Sequence, residues 1–225
     1  MPTDNSVHIT LEEATINALE PITGRTPLMH LVSNGGHHKC FECALKIPNI
    51  NLNVQDRDNG ATALMFSIRD GAICESLRLL EFHHDLSIKD KFNCTALIHA
   101  IGFKKLSIIE RLLELDNFTD RDYGFKVMMY AINSGCDDIC TMVFNKIGLN
   151  EGGENNSILF ALITNDAPVE KIRWALEHGA NPEYPFCGGT PLALAIAHNR
   201  PDIMREILKY PIDLNKRIDG QTYVE

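Results

Sequence analysis

The sequence predicts an all-α fold in which helix-turn-helix units stack into a solenoid with protruding, hairpin-like loops. The first observation is a recurrent phrase, Gly-x-Thr-(Pro/Ala)-Leu, at 24–28, 60–64 and 188–192, with Asn in place of Gly at 93–97. The second is the period, because the threonine position of this phrase recurs at intervals of 31 to 36 residues. The third is a glycine nine residues after that position, at Gly35, Gly71 and Gly135. Such a period is typical of repeat arrays, whose units bury their apolar faces against one another.

Each part of the phrase has a local physical role. Thr190 is expected to cap the next helix with its hydroxyl, and Pro191 then takes the first helical position, where an amide hydrogen is not needed. Gly179 is expected to close the preceding helix, because glycine adopts the left-handed backbone conformation without a steric penalty. Each unit should then contain a second helix with one apolar face. These second helices are expected at 40–46, 76–82, 107–115, 138–147, 169–178 and 202–210.

The phrases resemble the ankyrin repeat, and the resemblance covers about residues 24–225. It implies an ankyrin-repeat solenoid preceded by an N-terminal tail and capping helix at 1–23. The six repeat units are expected at 24–59, 60–92, 93–123, 124–154, 155–187 and 188–219. The capping helix is expected from Thr10 to about Leu19, because Thr10 and Glu13 have the spacing of a capping box.

The chain departs from the family pattern in its middle and in its first helices. Lys126 and Ser157 replace the capping threonine, and the joint at 148–156 lacks the usual extended loop, so we expect the softest seam there. The histidine that follows the leucine in the family is missing from every unit, and that residue normally ties helix to loop. We therefore expect this array to rely on packing. A row of rings one position later is interpreted as packing against the next unit: His30, Phe66, His99 and Tyr130.

Composition disfavours several classes of protein. The chain has 225 residues and a formal net charge of -9, which disfavours binding to the phosphate backbone of nucleic acids. No apolar run approaches the roughly 20 residues of a membrane span, and the first residues lack the pattern of a signal peptide. The seven cysteines are scattered, which indicates reduced thiols and a cytoplasmic location, in a host cytosol if the protein is a secreted effector. A monomer is expected.

The last residues, 220–225, begin a seventh unit that stops before its helices. A solenoid normally ends in a polar capping unit, because an uncapped last unit exposes its apolar face. The sequence therefore predicts that this chain is the N-terminal part of a longer protein.

The resemblance implies that a partner protein binds the concave side of the array, which is built from loop tips and from the exposed ends of the first helices. Several aromatic residues are expected on these loops, and aromatic and arginine residues are frequent anchors of protein interfaces. The candidate partner-binding residues are Arg57, Asp58, Arg69, Asp70, Lys91, Phe92, Phe103, Tyr123, Phe125, Asn133, Phe186 and His198. The alternative is that the loop rings fold back and fill gaps between irregular loops.

Two cysteine clusters have the spacing of metal ligands. His37, Cys40 and Cys43 lie at three-residue steps, but no fourth ligand is evident and Cys40 falls where the family buries an apolar side chain. Cys136 and Cys140 lie one helical turn apart, and Cys140 aligns with a core position. We therefore expect no metal and no cofactor.

Cys187 is the best candidate nucleophile, because it lies on a loop just before a helix N-terminus, which lowers the pKa of a thiol. His198 of the same unit lies eight helical residues beyond Thr190, or about 12 Å away at roughly 1.5 Å per residue. A general base must lie within roughly 3 Å of its nucleophile. The sequence also contains no phosphate-binding glycine loop or other motif of a known chemistry, so we expect that the protein is not an enzyme.

The sequence favours a protein–protein interaction module that acts as an adaptor or scaffold and presents many weak contacts on a preformed surface. Two alternatives remain open. The array is the substrate-targeting arm of a larger enzyme or host-directed effector, with a catalytic domain beyond Glu225, or it is a structural spacer whose surface binds nothing specific.

Overall fold

The computed structural model describes residues 15–33, 38–116, 121–147, 158–184 and 189–214. Within these ranges the chain forms twelve α-helices and no β-strand, which confirms the predicted all-α solenoid of helix pairs. The six predicted second helices are present, although α4 begins at Ile73 rather than at Ser76. The helices are α1 Pro27–Ser33, α2 His38–Leu45, α3 Ala63–Asp70, α4 Ile73–Leu79, α5 Ala96–Gly102, α6 Leu106–Leu115, α7 Arg121–Ser134, α8 Asp137–Ile147, α9 Ile158–Thr164, α10 Val169–Glu177, α11 Pro191–Ala197 and α12 Pro201–Ile207.

The chain divides into two compact bodies, an N-terminal body at 1–116 and a C-terminal body at 117–225. In the N-terminal body the first helices of successive pairs pack side by side, α1 on α3 and α3 on α5, and α4 packs on α6. Its core includes the fully buried side chains of Phe66, Leu79 and Ile108. In the C-terminal body α7 packs on α8, α9 on α11 and α10 on α12, around buried residues such as Leu159 and Ile172.

Threonine caps begin several first helices, as the repeated phrase predicts. Thr62, Thr95 and Thr190 have extended backbone, and each side-chain oxygen accepts a hydrogen bond from the amide three residues later. Pro191 occupies the first turn of α11, where its missing amide hydrogen removes no helical hydrogen bond. The cap therefore fixes both the start of the helix and the direction in which the preceding loop enters it.

A residue with left-handed backbone ends the first helix of five pairs and turns the chain toward the second. Gly71 and Gly135 take this position with φ of 78° and 65°, as their spacing predicts. In the other three turns the position holds a residue with a side chain: Lys104, Asp166 and Asn199, with φ of 53°, 52° and 51°. The turn geometry is thus shared by five pairs, although only two of them use glycine.

The expected N-terminal capping helix is wrong in the part that the structure describes. Residues 10–14 lie outside the described ranges, and residues 15–20 form a turn and irregular backbone rather than a helix. A loop begins at Glu20, whose amide donates a hydrogen bond to the carbonyl oxygen of Arg25. That loop starts ahead of Gly24, where the first unit was expected to begin.

Helix α7 begins at Arg121, earlier than the expected start near Lys126. Lysine has no hydroxyl with which to cap a helix at that position, and the helix continues upstream. As a result Tyr123 and Phe125 are helical residues and half-buried, so their expected place on a loop tip is wrong. The helix also crosses the predicted boundary between the third and fourth units.

Some expectations concern residues outside the described ranges. They are Gly35, the soft seam at 148–156 and the seventh unit at 220–225. The boundaries of the six repeat units also stay a prediction.

Candidate partner-binding surface

Three loops of the N-terminal body precede its first helices and share one construction. In each loop the amide of the first residue donates a hydrogen bond to the carbonyl oxygen of the last residue. The three pairs are Glu20–Arg25, Asp56–Ala61 and Asp90–Cys94, at 2.8, 2.9 and 2.9 Å. We call these three loops the loop ridge.

Two buried carboxylates fix the shape of the second and third loops. Asp90 Oδ1 accepts hydrogen bonds from the backbone amides of Phe92 and Cys94, at 2.9 and 2.8 Å. The oxygens of Asp56 accept hydrogen bonds from two amides of its own loop, at 2.6 and 3.1 Å. Because each carboxylate is buried and satisfied by the backbone, it holds the loop in one conformation.

Backbone hydrogen bonds join neighbouring loops. The amide of Arg57 donates to the carbonyl oxygen of Gly24 at 3.1 Å, and the amide of Lys91 donates to that of Asn59 at 2.8 Å. Gly24 has a φ of 63°, and a Cβ on it would lie 2.8 Å from the Cβ of Arg57, so the first junction requires glycine. The side chains at the loop tips therefore stand on a preorganised backbone.

Two histidines connect the first helices to the ridge, which corrects the expectation that this array lacks such ties. His99 Nε2 lies 2.8 Å from Asp90 Oδ2, and His30 Nε2 lies 3.0 Å from Glu20 Oε2. Both histidines were interpreted as packing residues, but they hydrogen-bond to the loop that precedes their own helix. The signal was present in the sequence, one position later than in the family pattern. Phe66, in the same row, is fully buried.

Four predicted contact residues lie at the tips of the loop ridge. Arg57, Asp58, Lys91 and Phe92 are all exposed, and Phe92 keeps 72% of its surface accessible. Lys91 Nζ also donates a hydrogen bond to the carbonyl oxygen of Arg57 at 2.6 Å, which links the second and third tips. The structure thus brings these four residues together on one surface.

Two further residues of this surface were missed by the sequence analysis. Ile22, at the tip of the first loop, is 90% exposed, although residues 1–23 were assigned to a tail and cap. Its position two residues before Gly24, matching Asp58 before Gly60, was the available signal. Arg25, at the end of the same loop, places its guanidinium carbon 4.4 Å from the centroid of the Phe66 ring.

The predicted contact residues on the first helices differ in how far their side chains already interact within the chain. Arg69 lies 4.5 Å from the centroid of the Phe66 ring and pairs with Asp70 at 3.2 Å, so both charges are partly engaged within the chain. Phe103 follows the end of α5 and is 44% exposed. Its ring is nearly parallel to that of His99, with centroids 6.3 Å apart, and it lies at the end of α5 away from the loop ridge.

Family models identify this architecture. Residues 72–152 match the model described as ankyrin repeats in three copies, and residues 187–216 match the single ankyrin repeat. The chain is an ankyrin-repeat protein. Ankyrin repeats are generally protein–protein interaction modules. A comparison with curated proteins found no sequence match.

Solved structures share the ankyrin fold at low sequence identity. The ankyrin repeat domain of Bcl-3, a member of the IkappaB family, is 18% identical, with a TM-score of 0.73 and coverage of 90% of this chain and 93% of that chain. The human ASB11 ankyrin repeat domain is 18% identical, with a TM-score of 0.61 and coverage of 89% and 90%. A chain from the complex of the Bdellovibrio bacteriovorus endopeptidase Bd0816 with the immunity protein Bd3460 is 20% identical, with a TM-score of 0.58 and coverage of 82% and 97%.

The remaining predicted contact residues lie in the C-terminal body. Asn133 Oδ1 accepts a hydrogen bond from Lys171 Nζ at 2.9 Å, which connects α7 to α10. His198 follows the end of α11 and is exposed. Phe186 lies outside the described residues.

The cysteines show no metal cluster in the part of the chain that the structure describes. Cys40 and Cys43 are both exposed on α2, so the expected burial of Cys40 is wrong, while His37 and Cys187 lie outside the described residues. Cys140 is buried as its alignment predicts, and its thiol lies 3.2 Å from the carbonyl oxygen of Ala131. Burial raises the pKa of the Cys140 thiol to about 11, so it is a poor nucleophile near neutral pH.

Among the described helices none is long and apolar enough to cross a membrane.

Proposed function

We propose that this chain is a recognition module that binds a partner protein on the loop ridge and the adjoining first helices of the N-terminal body. The observation that carries the proposal is the pair of apolar side chains at the ridge tips. Ile22 and Phe92 project from loops whose backbone is fixed, and both are mostly exposed. Large apolar side chains that are exposed on a protein surface are frequent anchors of protein interfaces.

The construction of the ridge supports this proposal energetically. Binding costs free energy when a loop must be ordered, and that cost is small for a loop that internal hydrogen bonds already hold. Asp56 and Asp90 supply these hydrogen bonds, and the loop-to-loop bonds fix the spacing of the tips. Little of the binding free energy would therefore be lost to ordering of the surface.

We also propose that the protein works as a monomeric adaptor in a reducing compartment such as the cytoplasm. Cys40, Cys43 and Cys74 are exposed free thiols, and such thiols persist where glutathione and thioredoxin keep them reduced.

Affinity capture from extract of the native cell tests the proposal. The baits are the unchanged chain, a ridge variant with Ile22→Ser and Phe92→Ser, and a control variant with Leu208→Ser. Leu208 is a matched control, because it is also an exposed apolar residue but lies at the end of α12 in the C-terminal body. Equal melting temperatures establish that all three baits are folded.

We expect at least one protein that the unchanged chain and the Leu208→Ser chain retain and that the ridge variant retains about tenfold less, the loss usual for anchor residues. Retention of the same proteins in equal amounts by all three baits would contradict a binding ridge. The spacer interpretation would then be preferred.

A further inference from the structure

The turns between helices form a second exposed surface of the N-terminal body, at the other end of the first helices from the loop ridge. Ile73 is the first residue of α4 and Leu106 the first residue of α6, and each is 41% exposed. Phe103 lies between α5 and α6 and is also exposed. In the C-terminal body the second helices begin with Asp137, Val169 and Pro201. Among the described residues, the exposed large apolar side chains at the start of a second helix are thus those of Ile73 and Leu106.

Two lysines accompany these apolar side chains. Lys104 and Lys105 form no ion pair with any residue that the structure describes. Two carboxylates of the preceding helix pair have partners of their own, because Asp70 pairs with Arg69 at 3.2 Å and Glu75 lies 3.8 Å from His38. In a chain of net charge -9, the turn between α5 and α6 thus presents positive charge without an ion-pair partner among the described residues, beside apolar surface.

The position of Lys105 connects the two turns. Its Nζ lies 3.5 Å from the place that a Cβ would take on Gly71, so the side chain extends across the turn of the preceding helix pair. This places its ammonium group at the turn that precedes α4, whose first residue is Ile73. We call Ile73, Phe103, Lys104, Lys105 and Leu106 the turn edge.

Lys104 also occupies a conformation that lysine rarely adopts. Its φ is 53°; the equivalent turns have glycine at Gly71 and Gly135, and Asp166 and Asn199 in the other two. Asp and Asn tolerate left-handed backbone better than lysine does. A left-handed conformation costs a residue with a Cβ roughly 1–2 kcal/mol, and such strain is concentrated at functional positions. Glycine would relieve this strain, so Lys104 keeps its side chain at a cost in backbone free energy.

We propose that the turn edge binds an acidic peptide segment that carries a large apolar side chain. The apolar side chain packs among Ile73, Phe103 and Leu106, and Asp or Glu residues beside it pair with Lys104 and Lys105. Charge complementarity selects this occupant, because a basic or neutral segment leaves both ammonium groups without partners. The proposal goes beyond the loop ridge, since it assigns a second surface and a ligand chemistry.

A random 12-residue peptide library displayed on phage, selected against the full chain, tests this inference. The expected peptides are enriched in Asp and Glu and contain at least one Leu, Ile, Phe, Met or Trp. The dissociation constant of a selected peptide, measured by fluorescence polarisation, is then compared between variants. Lys104→Gln/Lys105→Gln is expected to weaken binding about 3- to 30-fold, the range for loss of two exposed ion pairs.

Matched variants separate this surface from the others. Lys39→Gln/Lys46→Gln removes the same charge at α2 and should leave the affinity unchanged, as should the ridge variant Ile22→Ser/Phe92→Ser. Raising salt from about 50 to about 500 mM should weaken binding to the unchanged chain more than to the Lys104/Lys105 variant, because salt screens the ion pairs.

Three outcomes would overturn the inference: no enriched peptide, enriched peptides without acidic residues, or equal affinity for the unchanged chain and the Lys104/Lys105 variant. Peptides that depend on Ile22 and Phe92 instead would reject the turn edge while supporting the loop ridge. Failure of the inference and failure of the proposed function are thus distinguishable.

Discussion

Asp90 holds three groups that shape the third loop of the ridge. Its buried carboxylate accepts hydrogen bonds from the amides of Phe92 and Cys94 and lies 2.8 Å from His99 of the following helix. Phe92 is therefore presented by a backbone that a single side chain organises. Asp56 has the corresponding role in the second loop, where it binds two amides of its own loop.

Replacing Asp90 with alanine is expected to lower the free energy of unfolding by about 2–4 kcal/mol, because two loop amides and His99 lose the buried carboxylate that they hydrogen-bond to. The control is Asp58→Ala, at an exposed position of the neighbouring loop. This substitution should change the free energy of unfolding by less than about 0.5 kcal/mol. Urea unfolding followed by circular dichroism measures both. Equal unfolding midpoints for the two variants would show that the carboxylate does not hold the loop.

At this scale the sequence predicts interactions that span few residues. The caps at Thr62 and Thr190 were predictable, because hydroxyl and amide are three residues apart in one turn of chain. The left-handed conformation of Asn93 followed from its place in the repeated phrase. The pairing of His99 with Asp90 was not predicted, because it depends on how a loop folds back over nine residues.

At the scale of elements, the turn from first to second helix holds residues with different costs for the same backbone conformation. Gly71 and Lys104 occupy equivalent left-handed positions, with φ of 78° and 53°. Glycine takes this conformation without strain, whereas lysine does not. The strain can therefore be tested in both directions, by adding a side chain at Gly71 and by removing the side chain of Lys104.

Gly71→Ala is expected to lower the free energy of unfolding by about 1 kcal/mol, and Lys104→Gly to raise it by about 1 kcal/mol. The nearest atom to a Cβ on Gly71 is 3.5 Å away, so backbone strain rather than a clash is the cause. Urea unfolding of each variant measures these two changes in the free energy of unfolding. A loss of stability in Lys104→Gly would show that the lysine side chain stabilises the turn, and the argument from strain would then fail.

Helices α10 and α12 of the C-terminal body are joined through Glu206. Its carboxylate lies 2.9 Å from Arg173 and 2.7 Å from Lys209. Hydrogen bonding to Arg173, and then to Lys209, lowers the pKa of Glu206 from its usual 4.5 to about 2. A carboxyl group whose pKa is lower in the folded chain stabilises the fold above its unfolded pKa.

This stabilisation should be complete above about pH 4.5 and should be lost as the pH falls toward 2. Glu206→Gln removes the titrating group, so its free energy of unfolding should decline less steeply than that of the unchanged chain between these pH values. Urea unfolding at several pH values measures both declines. Parallel curves would mean that the pairing with Arg173 and Lys209 contributes no acid sensitivity.

The sequence predicted the helix pairs well, because their apolar faces and caps recur with a regular period. The prediction of helix starts failed where a unit lacks a capping residue. Lys126 was aligned with the capping threonines, but the helix starts at Arg121, so Tyr123 and Phe125 lie in a helix instead of at a loop tip. A side-chain cap can be recognised only where a capping residue is present.

At the scale of the whole molecule, the N-terminal body carries both of the surfaces that we propose for binding. The loop ridge presents Ile22 and Phe92 on a fixed backbone, and the turn edge presents lysines beside exposed apolar residues. The sequence placed four ridge residues correctly because loop tips follow from the repeat pattern. It missed Ile22, since the first loop begins in a segment without the recurrent phrase.

Backbone chemical-shift mapping tests the central claim of a binding ridge most directly. The ¹⁵N-labelled chain would be titrated with the protein that it captures from the native cell. The largest amide shifts are expected at residues 20–25, 56–61 and 90–94, with little change in α2, α4 and the C-terminal body. Shifts confined to those second helices or to the C-terminal body would contradict a binding surface on the loop ridge.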